Sequence, residues 1–517
     1  MFGRPSLFIV AIVLVMPSLV LAQAPYGQFD HGYQEPGIAA NAYQAPTWQQ
    51  LDSINARLEM LEAENRRLQQ MVAESAARSS AGTDSPEQVE RVGYFNENAS
   101  VYGAPTAGGA CPDCGKEACA GMPHLCSFCL EKTSWNKAGG WRIVPSGRLR
   151  GEFIYSSAPY VNDAIVAFLG PNVPGVSEDS YSIHAKQSQL NFAVTGPAWG
   201  EWQPGGVIAT NFMGSQPLRN FSGVNTVLAY GEFKSDQWRF AFGRMLDLFG
   251  PITPSTVNGL QQRGAGNIGI YRGAFHVDRY LTVSDTMRWT ISGRLAQQDI
   301  SDYQGIPSVR GKDNGWPNIE ARIGVELGEM CSFGRPFEIG ISGVMGEVQA
   351  VQDPFIEFDP DLIYYPGADE IEQTRGVCLD LQWRRPKFGA RGEVWWGKAA
   401  GTYFVATLQS LNPETAQAVE SVGGWGEIYY KITPSVTTNV GYGIDDPNNS
   451  DLGFVNPMDP NMVGQISYND VAWWNVMWNV TSYFDVELEI SQRRTRYLVA
   501  DAANDGTLFH FASTLKF

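Results

Sequence analysis

The stretch "TLFHFASTLKF", residues 507–517, decides the fold class because its side chains alternate between apolar and polar. Successive side chains of a β-strand point to opposite faces. One face of this segment carries Phe509, Phe511, Leu515 and Phe517, together with Thr507 and Ser513. The other face carries His510, Ala512, Thr514 and Lys516, with Leu508 as the exception. Something outside the segment must therefore cover a strongly apolar strand face.

The same two-residue alternation continues through residues 139–517. In "GRLRGEFIY" (147–155), for example, Leu149, Phe153 and Tyr155 oppose two arginines and a glutamate. A strand needs only ~9–11 residues to cross a bilayer. We predict about sixteen strands, near 143–155, 183–195, 206–213, 223–234, 237–247, 269–277, 286–297, 317–327, 336–347, 375–385, 388–398, 423–431, 434–444, 469–480, 483–495 and 507–517.

The connections between these segments alternate in length. Tight links at 234–237, 384–387, 431–435 and 479–484 alternate with long ones such as 248–268 and 399–422. Short periplasmic turns and long outer loops are typical of outer-membrane barrels. An unpaired strand edge is prohibitive in hydrocarbon, so the last strand must pair with the first. We therefore predict an all-β transmembrane protein, a closed antiparallel β-barrel of about 16 strands, with lipid covering its apolar faces.

Composition excludes several other classes. The net charge of −17 opposes nucleic-acid binding, because no excess of positive charge offsets phosphate repulsion. The chain has five histidines and neither a GxSxG nor an HExxH motif, so we do not expect an enzyme. Only 18% of residues are charged, 55 are glycine, and mean hydropathy is −0.20. Strands that are apolar on one face only give such near-neutral hydropathy, whereas a helical membrane protein is much more hydrophobic.

The N-terminus reads as a secretory signal over residues 1–22. Arg4 precedes the apolar stretch 7–22, and Val20-Leu21-Ala22 forms a small-residue cleavage site. The alternative is an uncleaved anchor helix, which Pro17 and the short apolar core oppose. Residues 23–47 are rich in Gln, Ala, Pro, Gly and Tyr, and we predict a disordered spacer there. The predicted location is thus the outer membrane of a Gram-negative-type bacterium, with a periplasmic N-terminal segment.

Residues 48–74 have the spacing of a coiled-coil helix. The seam consists of Leu51, Ile54, Leu58, Leu61, Asn65, Leu68 and Val72, in 3-4-3-4 order. Asn65 falls at a core position, where a buried amide can fix the register and the oligomeric state. A solitary amphipathic helix is the alternative, although three heptads are marginal alone. We predict self-association, without a choice between dimer and trimer from the seam.

The linker 75–138 contains "CPDCGKEACAGMPHLCSFC" at 111–129. Cys111, Cys114, Cys126 and Cys129 form two CxxC pairs, a spacing that can place four thiolates around a structural zinc ion. Disulfides in an oxidising compartment are a second interpretation, and a redox-active CxxC pair is a third. No cofactor is otherwise expected.

The predicted lumen is rich in arginine. The strand assignment directs inward Arg148, Arg150, Arg239, Arg288, Arg294, Arg322, Arg384, Arg391 and Arg493. Guanidinium groups suit carboxylates, which favours an anion-preferring pore. The alternative is that these arginines pair with lumen acids such as Glu152, Glu320, Glu393 and Glu489. The 248–268 connection either folds inward and narrows the pore or forms a plain surface loop.

Residues about 183–300 resemble the DcaP-like family of trimeric outer-membrane porins. The resemblance rests on "QSQLNFAV" (187–194), "LAYGEF" (228–233), "FAFGRMLDLFGPITPST" (240–256) and "GAGNIGIYR" (264–272). It implies homotrimers, diffusion of small anions such as dicarboxylates, and basic residues at the constriction, with Arg244, Arg263 and Arg272 at matching positions. The cysteine-rich segment departs from the family pattern. A terminal strand ending in Phe517 also resembles the signal that barrel-assembly machinery recognises.

Two function classes follow from this sequence. The first is an outer-membrane porin, a passive diffusion channel for small hydrophilic solutes with anion preference, for example for carboxylates. The alternative is a structural anchor, in which the coiled coil and the cysteine-rich segment tether the envelope and the barrel serves as the membrane attachment.

Overall fold

The computed structural model describes residues 135–137, 140–160, 165–172, 179–213, 223–298, 315–331, 334–349, 371–454 and 463–517, all within the compact unit Gln88–Phe517. The strands are β1 (Trp135–Lys137), β2 (Trp141–Ser156), β3 (Ser180–His184), β4 (Gln189–Thr195), β5 (Gln203–Asn211), β6 (Asn225–Lys234), β7 (Trp238–Leu246), β8 (Tyr271–Ser284), β9 (Met287–Ala296), β10 (Asn318–Leu327), β11 (Phe337–Gln349), β12 (Ile371–Arg384), β13 (Phe388–Lys398), β14 (Glu420–Thr433), β15 (Val436–Pro447), β16 (Ile466–Asn479), β17 (Phe484–Tyr497) and β18 (Asn504–Lys516). Four 3-10 turns cover Gly401–Tyr403, Val405–Thr407, Asn449–Asp451 and Ala500–Ala502.

These strands form one antiparallel sheet that closes on itself. Each strand pairs with its neighbours in the chain, and β18 returns to pair with β2. β3 and β4 pair with the two halves of β2 and act as one strand interrupted at 185–188. The short β1 pairs with the start of β2. The fold is therefore a closed sixteen-strand antiparallel barrel with one additional short strand, which confirms the predicted barrel.

All sixteen predicted segments coincide with observed barrel strands. The largest boundary error is at β8, which continues to Ser284 beyond the predicted end at residue 277. Arg279 interrupts the apolar pattern there, because it lies on the outward face. Its guanidinium carbon lies 4.6 Å from the centre of the Trp238 ring. An outward arginine stacked on an aromatic ring near a strand end breaks the alternation on which the prediction depends.

Lipid covers the apolar face of residues 507–517. Phe509, Phe511 and Leu515 pair with Tyr155, Phe153 and Leu149 of β2, and these side chains point out of the barrel. The Phe517 N–H donates to the Gly147 carbonyl at 3.1 Å, which fastens the last residue to β2. Leu508, the exception in the pattern, points inward and is buried beside Ile154 and Leu169. Recognition of Phe517 by the assembly machinery stays a prediction.

The outward apolar side chains continue around the whole wall. Exposed examples from successive strands are Ile208, Phe240, Phe275, Ile291, Ile323, Ile341, Leu379, Val394, Ile428, Val440, Trp474 and Leu488. A soluble protein rarely exposes so continuous an apolar surface, whereas a transmembrane barrel requires one. None of the helical turns in the described residues has the length and apolarity of a membrane-crossing helix.

Several sequence-based predictions concern residues outside the described ranges. They are the signal peptide at 1–22, the spacer at 23–47, the coiled coil at 48–74 and the cysteine-rich segment at 111–129 within the 75–138 linker. Only Trp135–Lys137 of that linker is described, as β1. These assignments stay predictions.

Candidate functional site: the barrel lumen

The 248–268 loop folds into the barrel and follows its inner wall. Carboxylates on three inward strand faces accept hydrogen bonds from its backbone. Glu320 of β10 accepts from the Leu248 N–H at 2.7 Å. Glu427 of β14 accepts from the Ser255 N–H at 2.8 Å, and Glu489 of β17 accepts from the Val257 N–H at 2.8 Å. The loop therefore passes along eight of the sixteen barrel strands, from β10 to β17.

Two further contacts complete this attachment. Glu393 of β13 accepts from the Ile252 N–H at 2.9 Å, between the contacts of β10 and β14. Beyond them, Arg150 of β2 donates to the Val257 carbonyl at 3.0 Å. A loop inside a barrel has no ladder partner for its peptide groups, and buried peptide groups must be satisfied. Inward glutamates meet that requirement as hydrogen-bond acceptors.

Glycine allows the returning half of this loop to approach the wall closely. Gly266 has a φ of +100°, and a Cβ at this position would lie 2.1 Å from the Gly424 carbonyl oxygen of β14. The Trp395 indole N–H donates to the Gly266 carbonyl at 2.6 Å. No other residue type fits this backbone conformation and contact, which gives a physical reason for the glycines of "GAGNIGIYR".

The 399–419 loop is a second inward segment and packs on the first. The Thr407 N–H donates to Asp445 of β15 at 2.7 Å, and the Thr407 hydroxyl donates to the Gly264 carbonyl at 3.1 Å. The Gly269 N–H donates to the Tyr403 carbonyl at 2.9 Å. An apolar cluster joins the two loops to the wall and contains Phe249, Ile268, Val344, Cys378, Trp395, Ala400, Tyr403, Val405, Ala406, Val419 and Leu452.

Tyr403 links this loop to the charged groups of the wall. Its hydroxyl donates to Glu320 at 3.0 Å and accepts from the Asn318 side-chain amide at 2.9 Å. Burial raises the pKa of the Tyr403 phenol well above its ordinary value, so it stays a neutral donor. The Arg272 guanidinium carbon lies 3.7 Å from the centre of the Tyr403 ring. The loop is therefore held by polar contacts as well as by apolar packing.

The two inward loops share an uncommon backbone conformation. Among the described residues, every non-glycine residue with positive φ lies in one of them or at its boundary: Gln261, Gln262, Ala399, Phe404, Ala406, Thr407, Leu408 and Ala416. Such conformations cost of order 1–3 kcal/mol each and persist only where the surroundings enforce them. The sequence contains no pattern that announces them.

A third segment, residues 165–172, also packs inside the wall. The Leu169 N–H donates to Thr495 of β17 at 3.0 Å, and the Tyr497 hydroxyl donates to the Leu169 carbonyl at 2.6 Å. The Asn258 amide donates to the Val166 carbonyl at 2.8 Å, which joins this segment to the 248–268 loop. Inward residues of β10 and β17 are consequently almost all buried, whereas Asn191, Tyr230 and other inward residues of β4 and β6 are half-buried.

The structure places eight of the predicted pore-lining arginines on inward strand faces. They are Arg148, Arg150, Arg239, Arg272, Arg288, Arg294, Arg322 and Arg391. Arg263 lies in the 248–268 loop, where its guanidinium donates to the Leu260 carbonyl at 3.3 Å and to the Gln261 side chain at 2.9 Å. Arg244 alternates with Met245 on β7 and so lies on the outward face, where it donates to the Thr226 carbonyl at 3.0 Å.

Most of the inward arginines hold a carboxylate. The pairs are Arg150–Glu152 (3.0 Å), Arg239–Glu232 (2.6 Å), Arg272–Asp247 (2.7 Å), Arg288–Glu326 (2.6 Å), Arg294–Glu320 (3.6 Å), Arg322–Asp380 (2.6 Å) and Arg391–Glu427 (2.6 Å). The pairing that sequence analysis considered as an alternative is therefore present at these positions. Each pair balances charge locally and stiffens the wall. Whether these arginines line a solute path stays a prediction.

We expect the hydrogen bonds between the wall carboxylates and the 248–268 loop to contribute measurably to the free energy of unfolding. Glu393→Ala removes the acceptor of both the Ile252 N–H and the Trp425 indole N–H, the latter at 3.0 Å. Each unsatisfied buried donor costs about 1–3 kcal/mol, and denaturant unfolding of the refolded barrel measures the loss. Glu201→Ala, in an exposed turn, is the control. Equal stability of the two variants would contradict this attachment.

The fold and the apolar outer wall define a transmembrane β-barrel of the outer-membrane type. The structure is similar to the outer-membrane channel DcaP of Acinetobacter baumannii, with a TM-score of 0.55, 15% identity, and coverage of 74% of this chain and 99% of that one. This likeness confirms, for the fold, the predicted resemblance to DcaP-like porins and the outer-membrane location.

Other solved structures match less well. OmpT of Vibrio cholerae is 8% identical with a TM-score of 0.45, over 74% of this chain and 100% of that one. The anion-selective porin from Comamonas acidovorans is 10% identical with a TM-score of 0.45, over 73% and 100%. No protein-family model and no curated protein sequence matches the chain.

Proposed function

We propose that the protein is an outer-membrane porin, a passive diffusion channel for small hydrophilic solutes that internal loops narrow. The observation that carries this proposal is the 248–268 loop, bound to the inner wall by the carboxylates of β10, β13, β14 and β17. A sixteen-strand barrel is otherwise wide enough for a water-filled channel. Solutes pass beside β4 to β6, where inward polar residues such as Asn191 and Glu232 are half-buried.

The proposed selectivity is a preference for small anions such as carboxylates. Its support is the number of basic residues on inward faces, because guanidinium and ammonium groups attract carboxylates. The ion pairs reduce this support, since Arg239, Arg288 and Arg322 each hold an acid already. The preference must therefore depend on positive groups that the wall does not neutralise.

Planar-bilayer recording of the purified, refolded protein tests the channel. We expect discrete conductance steps. In a salt gradient, we expect a reversal potential whose sign shows that anions permeate more readily than cations. Cation preference would leave the channel standing and contradict the selectivity. A folded barrel without conductance would contradict the channel.

A structural envelope anchor is the second candidate, and the filled lumen favours it. The apolar cluster around Tyr403 and a second one of Ile252, Ala265, Trp425, Val471 and Trp473 occupy space that an open porin leaves to water. Absence of conductance from the folded barrel, with co-sedimentation of the full chain with cell-wall material, would support this candidate.

We also propose that the barrel forms homotrimers. Strands β3 to β7 have only 5, 7, 9, 10 and 9 residues, whereas β8, β12, β14, β16 and β17 have 14. β3 and β4 together form one crossing strand that is interrupted at 185–188, and this interrupted part of the wall, beside the short strands β5 to β7, suits contact with another copy. Native mass spectrometry of the detergent-solubilised protein would show the trimer, and a monomer would contradict it.

The structural zinc ion at Cys111, Cys114, Cys126 and Cys129 stays a proposal, with disulfides as its rival. Elemental analysis of the purified full chain, together with thiol titration under denaturing conditions, separates the two. One zinc ion per chain with all seven cysteine thiols titratable supports the metal, and the loss of four titratable thiols without zinc supports disulfides.

A further inference from the structure

Two lysines occupy the inward face of the wall at its periplasmic end. Lys234 is the last residue of β6, next to the outward Phe233. Lys431 lies near the end of β14, between the outward side chains of Tyr430 and Ile432. Alternation therefore directs both ammonium groups into the lumen. Both residues are half-buried, so they remain in contact with water.

Neither lysine forms an ion pair with the described residues. Other basic residues at the same rim do, for example Lys516 with Asp485 at 2.7 Å and Arg384 with Glu338 at 2.9 Å. The acids that act electrostatically on Lys234 are Glu232 and Asp278, and Arg239 holds both carboxylates, at 2.6 and 3.3 Å. The acid on the strand face of Lys431 is Glu427, which Arg391 holds at 2.6 Å.

The two lysines lie on opposite sides of the barrel. Because β3 and β4 count as one strand, β6 and β14 are eight strands apart in either direction around the sixteen-strand wall. Short turns follow both strands, at 235–237 and 434–435, so both lysines lie at the periplasmic opening. A solute that crosses this opening passes between two lysines, neither of which is in a direct ion pair with a described residue.

We infer that Lys234 and Lys431, and not the paired arginines, determine the anion preference at the periplasmic opening. This inference rests on the proposed channel function. Charge that a neighbouring acid already neutralises contributes little to the field in the lumen, whereas an unpaired ammonium acts on ions within a Debye length, about 10 Å at 0.1 M salt. The ligand class is a small anion, such as a monocarboxylate or dicarboxylate.

Reversal potentials of the double variant K234E/K431E in planar bilayers test this inference. We expect the anion-to-cation permeability ratio to fall severalfold at 0.1 M salt. The shift should shrink near 1 M, where the Debye length is about 3 Å. The matched control is K387E, which reverses a lysine in the exposed turn after β12 of the same rim. It should leave the ratio unchanged.

In a second measurement, the charge is changed only after the protein has folded, so a folding defect of a charge-reversal variant cannot explain the result. K234C and K431C are reconstituted first and then treated with a cationic or an anionic thiol reagent. The two reagents should shift the reversal potential in opposite directions. Wild-type protein treated identically controls for the native cysteines.

The outcomes separate the inference from the function. An anion-selective wild type whose ratio is unchanged in K234E/K431E overturns the assignment to the lysines and leaves the porin intact. A wild type without conductance overturns the porin and this assignment with it. A cation-selective wild type that becomes more cation-selective in K234E/K431E overturns the anion preference, although the lysines still act on permeant ions.

Discussion

Replacement of residues 402–417 by a short Gly-Ser link is expected to raise single-channel conductance severalfold. The 399–419 loop fills lumen space with Tyr403, Val405 and Leu411, all fully buried. Ion flow depends on the water-filled cross-section, so removal of this packing widens the path. The barrel should remain closed, because β13 ends at Lys398 and β14 begins at Glu420.

A control within the same loop separates packing from loop length. Thr415 and Gln417 are exposed, so T415A/Q417A changes the loop without emptying the lumen. We expect its conductance to equal that of wild type. If the shortened variant also conducts like wild type, the solute path does not pass the 399–419 loop, and the lumen filled by this loop does not limit flow.

The barrel could be predicted because alternate residues of each strand face two different environments, the lipid on one side and the polar lumen on the other. Leu379, Leu381 and Trp383 face lipid, whereas Asp380 between them faces the interior. That contrast repeats in each strand and requires no knowledge of the tertiary partner. The alternation did not predict the strand correctly in two places. One is near a strand end, where Arg279 faces outward, and the other is at residues 185–188, between β3 and β4.

The lumen could be predicted only in part, because inward polarity does not state what a residue contacts. The position of Arg150 was predictable, but its pairing with Glu152 and the Val257 carbonyl depends on where a distant loop lies. For the same reason, the sequence did not predict that Glu427 binds the 248–268 loop. The apolar residues of "GTYFVATL" (401–408) resemble an ordinary loop, and only the closed barrel reveals that they fill it.

Arg244 shows that a family resemblance and the strand alternation can predict different positions for the same side chain. It was assigned to the pore by its position in "FAFGRMLDLFGPITPST", whereas the alternation of β7 turns it outward beside Phe242. Arg272 was assigned in the same way and does lie inward, fully buried and paired with Asp247.

Arg272→Met is expected to destabilise the barrel by about 3–5 kcal/mol, the usual cost of removing one partner of a buried ion pair. Arg272 donates to both carboxylate oxygens of Asp247, at 2.7 and 3.0 Å, and to the Thr402 carbonyl at 3.0 Å. Without it, the buried carboxyl group of Asp247 loses its bidentate partner at the start of the 248–268 loop. Denaturant unfolding followed by tryptophan fluorescence measures the loss.

The double variant R272M/D247N distinguishes this pair from general packing. Because it removes both charges, its destabilisation should be smaller than the sum of the two single variants, which is the signature of coupled residues. R279M is the surface control. It loses an exposed hydrogen bond to the Gln237 side chain, at 2.6 Å, and an exposed stacking contact with Trp238, the latter worth about 0.5–1 kcal/mol. Additive losses in the double variant would show that Arg272 and Asp247 act independently, so that the ion pair is not what holds both inward loops at this point of the wall.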